Sequence, residues 1–165
     1  FYDNGLRNGK YTHWFSNGRK KRCCHYKNDK LDGTIQCWTR KGELNYKCQY
    51  KNGKKTGLEI KWFNHDAKQV YYKHNYTDDI LDGQYEEWFH SGKKRLDCFY
   101  SDGKLNGKYE EWTPHGGYIH CYYQDGSKHG VFKQWNNDSK LVRHCIYKKG
   151  EYKKSMRGRF QFLRK

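Results

Sequence analysis

The chain has very little proline and few aliphatic residues. Its 165 residues include one Pro, and only 34% of them are hydrophobic, a share in which aromatic residues account for 18 percentage points. So little Leu, Ile and Val argues against the thick aliphatic core of a doubly wound fold or a helix bundle. One Pro excludes a proline-rich linker. No stretch approaches the roughly 18 apolar residues of a membrane span, so the sequence predicts no transmembrane helix.

The composition is strongly basic but also rich in aromatic residues. A net charge of +16 combined with low hydropathy is typical of disordered chains. The six Trp, sixteen Tyr and eight Phe contradict disorder, because disordered segments are poor in aromatic residues. We therefore expect a folded, basic protein.

The aromatic and glycine residues recur in one register. Successive Trp residues are 23 to 26 positions apart, a Gly precedes each Trp by five positions, and a Tyr precedes each Gly by seven. The Trp column is Trp14, Trp38, Trp62, Trp88, Trp112 and Trp135, and the Gly column is Gly9, Gly33, Gly57, Gly83, Gly107 and Gly130. A shared period of about 24 residues is the signature of a repeat architecture.

Each unit contains two turn signals, such as Ser16-Asn17-Gly18 within a unit and Asn52-Gly53 between units. Asn-Gly and Asp-Gly between short aromatic runs favour hairpins, because both residues tolerate positive φ. The residue two positions after the column Gly and the Trp five positions after it would point to opposite faces of a plain strand. We therefore expect a bulge or a strong local twist between them, or aromatic side chains on both faces. The sequence predicts an all-β fold: an elongated, single-layer antiparallel sheet of about six and a half consecutive β-hairpin repeats, twisted or curled.

Five of the seven Cys share one repeat position, and they are Cys24, Cys48, Cys98, Cys121 and Cys145. His74 occupies the same position in the third unit. Equivalent positions in successive hairpins are about 9.6 Å apart, too far for a disulfide or a shared metal ion. We interpret the Cys residues as small buried apolar side chains and His74 as a packed or partly exposed histidine, and we predict neither a metal nor a cofactor. Reduced thiols favour an intracellular, cytoplasmic location, with a membrane surface or a virion as alternatives.

The run from Gly107 to Trp112, followed by a turn Gly and the closing Tyr123, resembles the MORN repeat in the variant form of antitoxin-like and large-DNA-virus proteins. The resemblance implies an elongated hairpin sheet that serves as a scaffold or lipid-contacting module rather than an enzyme. We assign residues 1–152 to the MORN-like array, which we expect to continue upstream of residue 1. Residues 153–165 are predicted to form a basic C-terminal half-repeat cap.

Charge is concentrated towards the two ends of the chain. Residues 1–60 carry a net charge of +9, residues 61–125 of −3 and residues 126–165 of +10. Two basic clusters are candidate anion-binding sites: Arg19, Lys20, Lys21 and Arg22, and then Lys153, Lys154, Arg157 and Arg159. The alternative interpretation is a solubilising surface. An acidic centre between basic ends also permits self-association.

The sequence contains no catalytic motif. The adjacent carboxylates in Glu86-Glu87 and Glu110-Glu111 point to opposite faces of a strand, and we interpret them as solvated sheet surface. We predict a non-enzymatic scaffold that binds another protein. The first alternative is electrostatic binding to anionic membrane lipid. Binding to nucleic acid is the least favoured alternative. Aromatic residues among basic ones can stack on bases, but the repeat already requires the aromatic columns for structural reasons.

Overall fold

The computed structural model describes residues 2–64 and 66–156 of the chain, and this part is built from strands. The strands are β1 (Tyr2–Asp3), β2 (Leu6–Arg7), β3 (Gly9–Trp14), β4 (Lys20–Lys27), β5 (Lys30–Leu31), β6 (Gly33–Trp38), β7 (Leu44–Lys51), β8 (Lys54–Phe63), β9 (Asp66–Thr77), β10 (Ile80–Trp88), β11 (Lys94–Ser101), β12 (Lys104–Trp112), β13 (Tyr118–Gln124), β14 (Ser127–Lys128), β15 (Gly130–Trp135), β16 (Leu141–Lys148) and β17 (Glu151–Ser155). The predicted all-β class is confirmed.

The strands form one long sheet in chain order. An unbranched path of hydrogen-bonded neighbours runs from β3 to β17, while the short strands β5 and β14 pair at its margin with β4 and β13. β1 and β2 form a separate two-stranded hairpin. All pairings are antiparallel, as in the hairpin of β10 with β11. The predicted single sheet of consecutive hairpins is therefore confirmed, with β3 and β17 at its two ends.

Two kinds of turn alternate along the chain. The outer turns join one unit to the next and place two residues at positive φ, as at Asn52 (52°) and Gly53 (87°), which is the type I′ geometry that matches strand twist. The inner turns follow each Trp. In the first one, the Gly18 amide donates to the Phe15 carbonyl at 3.0 Å and Gly18 has a φ of 76°, a type I turn closed by a left-handed residue.

A bulge precedes the Trp in five of the six hairpins, as between Glu87 and Trp88. In the hairpin of β12 and β13, Trp112 instead pairs with Tyr118 without a register shift. A bulge is thus present in most units, but its extra residue lies on the return strand, as Arg95 does between Lys94 and Leu96, so it does not bring the two positions of the Trp strand to one face. Because the Trp strand keeps its alternation, the side chain of the Trp and that of the residue two after the Gly lie on opposite faces.

The Gly column has a backbone function that the repeat pattern did not predict. All six column glycines have positive φ, between 64° at Gly57 and 107° at Gly33 and Gly83. The register of the pairing with the preceding strand shifts beside them, for example between Leu81 and Tyr85. Glycine adopts this conformation at little cost. Each column Gly therefore allows the long strand to change its pairing.

The core lies on one face of this single layer. We call it the Cys face: it carries the Cys column, the closing Tyr residues and the residues two after each column Gly. The five Cys of the column are 0–1% exposed and have free thiols. Cys98, for example, pairs with Tyr85 on one side and Tyr109 on the other. Small thiols thus alternate with large rings, and the interpretation of these Cys as buried residues is confirmed.

Candidate functional site

The opposite side of the sheet carries the six Trp, and we call it the Trp face. It also carries the residues one and three positions after each column Gly. Trp112, Tyr118 and Trp135 stack in sequence, with ring centroids 5.3 and 5.0 Å apart. The ammonium groups of Lys73 and Lys94 lie 5.5 and 5.7 Å from the ring centre of Trp88. Cation–π contacts of this kind hold the lysine side chains against the indole ring.

Several large apolar side chains on the Trp face remain open to solvent. Leu58 and Phe99 are 40% exposed, Tyr122 is 44% exposed and Trp14 is 51% exposed. Within the part of the chain that the structure describes, no second layer packs on this face, because the strands form one sheet in sequence. Sheet faces with large apolar side chains normally pack against another element. These exposed side chains are therefore candidate contacts for a partner.

A row of carboxylates crosses the middle of the Trp face. Glu86, Asp97 and Glu110 are cross-strand neighbours on three adjacent strands. The Lys94 ammonium lies 2.7 Å from Glu86 and 2.8 Å from Asp97, and that of Lys108 lies 2.7 Å from Glu110. These carboxylates are therefore ion-paired and ordered. Glu86 and Glu110, which we interpreted as solvated surface, are half-buried, and Asp97 between them is 8% exposed.

A second polar cluster lies on the Cys face, where His74 replaces the column Cys. Glu59 is 2% exposed, His74 8% and Glu87 7%. The imidazole of His74 stacks between the rings of Tyr72 and Tyr85, with centroids 4.1 and 3.7 Å away. Its Nδ1 lies 3.8 Å from Glu59 and its Nε2 3.9 Å from Glu87. These distances exceed hydrogen-bond length, and Nε2 has no hydrogen-bond partner among the described residues.

The carboxylates of this cluster are neutralised by other groups. Glu59 accepts hydrogen bonds from the Lys55 ammonium at 2.7 Å and the Tyr46 hydroxyl at 2.6 Å. Glu87 accepts one from the Arg95 Nε at 2.8 Å. Burial alone would raise the pKa of Glu59, but the hydrogen bonds from Lys55 and Tyr46 and the charge of Lys55 together outweigh it, and the pKa falls below its ordinary value. The position of Glu87 on the face opposite Glu86 confirms the predicted alternation, although Glu87 is buried rather than solvated.

Burial sets the proton affinity of His74. Removal from water lowers its pKa from 6.5 to about 4, against the opposing effect of the carboxylates of Glu59 and Glu87. A proton on the imidazole would add a net charge to a cluster in which each carboxylate already has a cation. The prediction of a packed histidine is confirmed, and the packing is between tyrosine rings.

The predicted basic clusters do not converge on one site. In the first cluster, the Lys20 and Lys21 ammonium groups lie 6.0 and 5.8 Å from the rings of Trp14 and Phe15, and the Arg19 guanidinium donates to the carbonyl of residue 41. Arg22 pairs with His13 on the Cys face. The first cluster is thus divided between the two faces.

The second basic cluster lies near the other end of the sheet. Lys153 and Lys154 belong to β17, and the Lys153 ammonium lies 2.5 Å from Glu151. Arg157 and Arg159, with the remainder of the predicted cap after residue 156, lie outside the described residues. Nearly the whole length of the sheet separates β17 from β4, which carries the first cluster.

Sequence reasoning missed the tyrosine–glutamate pairs. The Tyr85 hydroxyl donates to Glu87 at 2.7 Å, and the Tyr109 hydroxyl donates to Glu111 at 2.9 Å. Both pairs have the spacing Tyr-x-Glu, which places the two side chains on one face of a strand. This spacing is the signal that would have predicted them.

The described residues contain no cluster of three or more His, Cys, Asp or Glu side chains placed to hold a metal ion. Residues 2–64 and 66–156 also include no helix with the length and apolarity to cross a membrane. No protein-family model matches the chain, and no curated protein sequence matches it. The resemblance to MORN repeats therefore stays a prediction.

Proposed function

We propose that this chain is a non-enzymatic repeat scaffold that binds another protein through its Trp face. The observation that supports the proposal is the solvent exposure of Leu58, Phe99 and Tyr122, at 40 to 44%, on a face that no second layer of the described residues covers. Apolar surface removed from water stabilises a complex by roughly 25 cal/mol per Å² before the costs of association. A partner that covers this face therefore gains affinity from its aromatic rows.

The Cys face is the poorer candidate because, away from the end strands β3 and β17, it covers its own apolar groups. The ring of Tyr100 lies 5.3 Å from that of Tyr85, and the ring of Tyr123 lies 5.4 Å from that of Tyr109. These rings bury the thiols beneath them, as the 0% exposure of Cys98 indicates. The side chains needed for the fold are thus satisfied on the Cys face, whereas large side chains on the Trp face remain available.

Affinity capture with matched surface variants tests this proposal. One variant carries Leu58→Ser, Phe99→Ser and Tyr122→Ser on the Trp face. The control carries Tyr11→Ser and Tyr152→Ser on the Cys face, where these residues are 50% and 53% exposed. Quantitative mass spectrometry should find a protein that the wild type and the control retain and that the Trp-face variant loses. Equal retention by all three proteins would contradict the proposal.

Binding to anionic lipid is the second candidate, and the outer turns favour it. Lys27 pairs directly with Lys30, and Lys51 with Lys54, so two adjacent turns carry four lysines. Like charges directly opposite each other are destabilising, and an anionic surface would relieve that repulsion. Co-sedimentation with phosphatidylserine vesicles tests this candidate, since Lys51→Gln with Lys54→Gln should weaken binding. The same titration with single-stranded DNA tests nucleic acid.

A further inference from the structure

Side chains join consecutive inner turns to one another along one edge of the sheet. Asn17 donates from its Nδ2 to the carbonyl of Arg40 in the next turn at 3.0 Å. The Thr113 Oγ1 donates a hydrogen bond to the Asn137 Oδ1 in the next turn at 3.3 Å. Bridges of this kind fill the space between neighbouring turns and hold them in a row.

A cleft opens between the inner turns at 89–93 and 113–117. The Thr113 hydroxyl accepts a hydrogen bond from the Gly117 amide at 2.8 Å and contacts the turn that follows, so this residue is directed away from the preceding turn. Trp112, just before it, belongs to the one hairpin without the bulge. The resulting cleft has a volume of about 820 Å³ and is lined by residues that include Phe89, Ser91, Lys93, Lys94, Trp112 and Pro114.

The chemistry of the cleft is apolar inside and cationic beside it. Phe89, Trp112 and Pro114 supply apolar surface, and Tyr118 supports the Trp112 ring by stacking at 5.3 Å. Lys93 is exposed at the turn. The volume is within the range of about 300–1,000 Å³ typical of binding pockets. An apolar cavity with an exposed ammonium group suits a bulky apolar side chain that has carboxylates beside it in sequence.

The net charge supports an acidic occupant. At +16, the protein attracts acidic partners over long range. Residues 61–125, which include the cleft, carry a net charge of −3, but the charged side chains that line the cleft are Lys93 and Lys94. We propose that the cleft receives a bulky apolar side chain from an acidic segment of a partner protein. This inference rests on the proposed function, because the cleft lies on the Trp face, and it specifies the kind of segment that binds there.

Two fluorescein-labelled peptides test the cleft, Glu-Asp-Glu-Phe-Asp-Glu-Asp and the same sequence with Ser in place of Phe. Fluorescence anisotropy should show that the wild type binds the Phe peptide about tenfold more tightly. Ser91→Trp, which fills the cleft from an exposed turn position, should abolish that preference. Lys93→Glu should weaken binding of the Phe peptide at least as strongly as it weakens binding of the Ser peptide. Lys104→Glu, at an exposed outer turn, should leave the preference unchanged.

Two results would overturn the inference. Equal affinity of the wild type for both peptides would mean that the cleft does not accept the apolar side chain. An undiminished preference in Ser91→Trp would place the binding elsewhere. If either result occurs while the protein captured on the Trp face is still lost with the triple Ser variant, the proposed function stands and the cleft proposal fails.

Discussion

Substitution of His74 by Gln should remove a large part of the acid sensitivity of the fold. His74 is 8% exposed and its pKa is lowered to about 4 by burial. The charged groups that face it are Glu59 and Lys55 from β8 and Glu87 from β10. Glutamine has a similar volume and forms hydrogen bonds, but it does not titrate. The variant therefore isolates the effect of the proton.

The sign and size of the effect follow from proton linkage. The unfolded chain binds a proton at the His74 position near pH 6.5, whereas the folded chain binds it near pH 4. Between these values the unfolded state holds more protons, so stability falls as the pH falls. A difference of about 2.5 pKa units at 1.36 kcal/mol each gives a loss of about 3 kcal/mol between pH 7 and pH 4.

Urea unfolding followed by Trp fluorescence at pH 7 and pH 4 measures this loss. The free energy of unfolding of the wild type should fall by about 3 kcal/mol more than that of His74→Gln over this range. His144→Gln, at a half-buried position, controls for the loss of a histidine and should behave as the wild type does. An equal fall in the wild type and His74→Gln would refute the account of the buried imidazole.

Three further predictions concern the backbone and the buried groups. Glu59→Gln should destabilise the fold by about 2–3 kcal/mol in urea unfolding at pH 7, because a lysine ammonium with 28% side-chain exposure loses its ion pair; no change would contradict this. Gly83→Ala should cost more than Gly9→Ala in the same assay, since both have positive φ but only at Gly83 does an added Cβ meet another side chain, at 3.2 Å. Burial raises the pKa of Cys98 to about 12, so a thiol reagent at pH 8 should label half-buried Cys37 first; faster labelling of Cys98, read by mass spectrometry, would be the contrary result.

The regular features of the fold could be predicted from the sequence because they repeat. The outer turns followed from Asn-Gly and Asp-Gly pairs, and the burial of Cys98 and its equivalents followed from period-two alternation. Both signals are local and recur in successive units. The placement of aromatic side chains on both faces followed from the parity of two positions in one strand, which local sequence also contains.

The polar cluster of the third and fourth units could not be predicted in the same way. The contacts of His74 with Glu59 and Glu87 join three strands. The solvent exposure of each of these three side chains depends on aromatic rings from neighbouring units. The candidate interaction surface was partly predictable, since the Trp column defines its face. The cleft beside Trp112 could not be predicted, because it depends on the contact of Thr113 with the following inner turn rather than with the preceding one.

Hydroxyl-radical footprinting of the complex with the captured partner tests most directly whether the Trp face is the binding surface. The account predicts that binding protects Phe99, Tyr122 and Trp112 from oxidation and leaves Tyr11 and Tyr152 on the Cys face as reactive as in the free protein. Protection of Tyr11 and Tyr152 with no change at Phe99 and Tyr122 would contradict it.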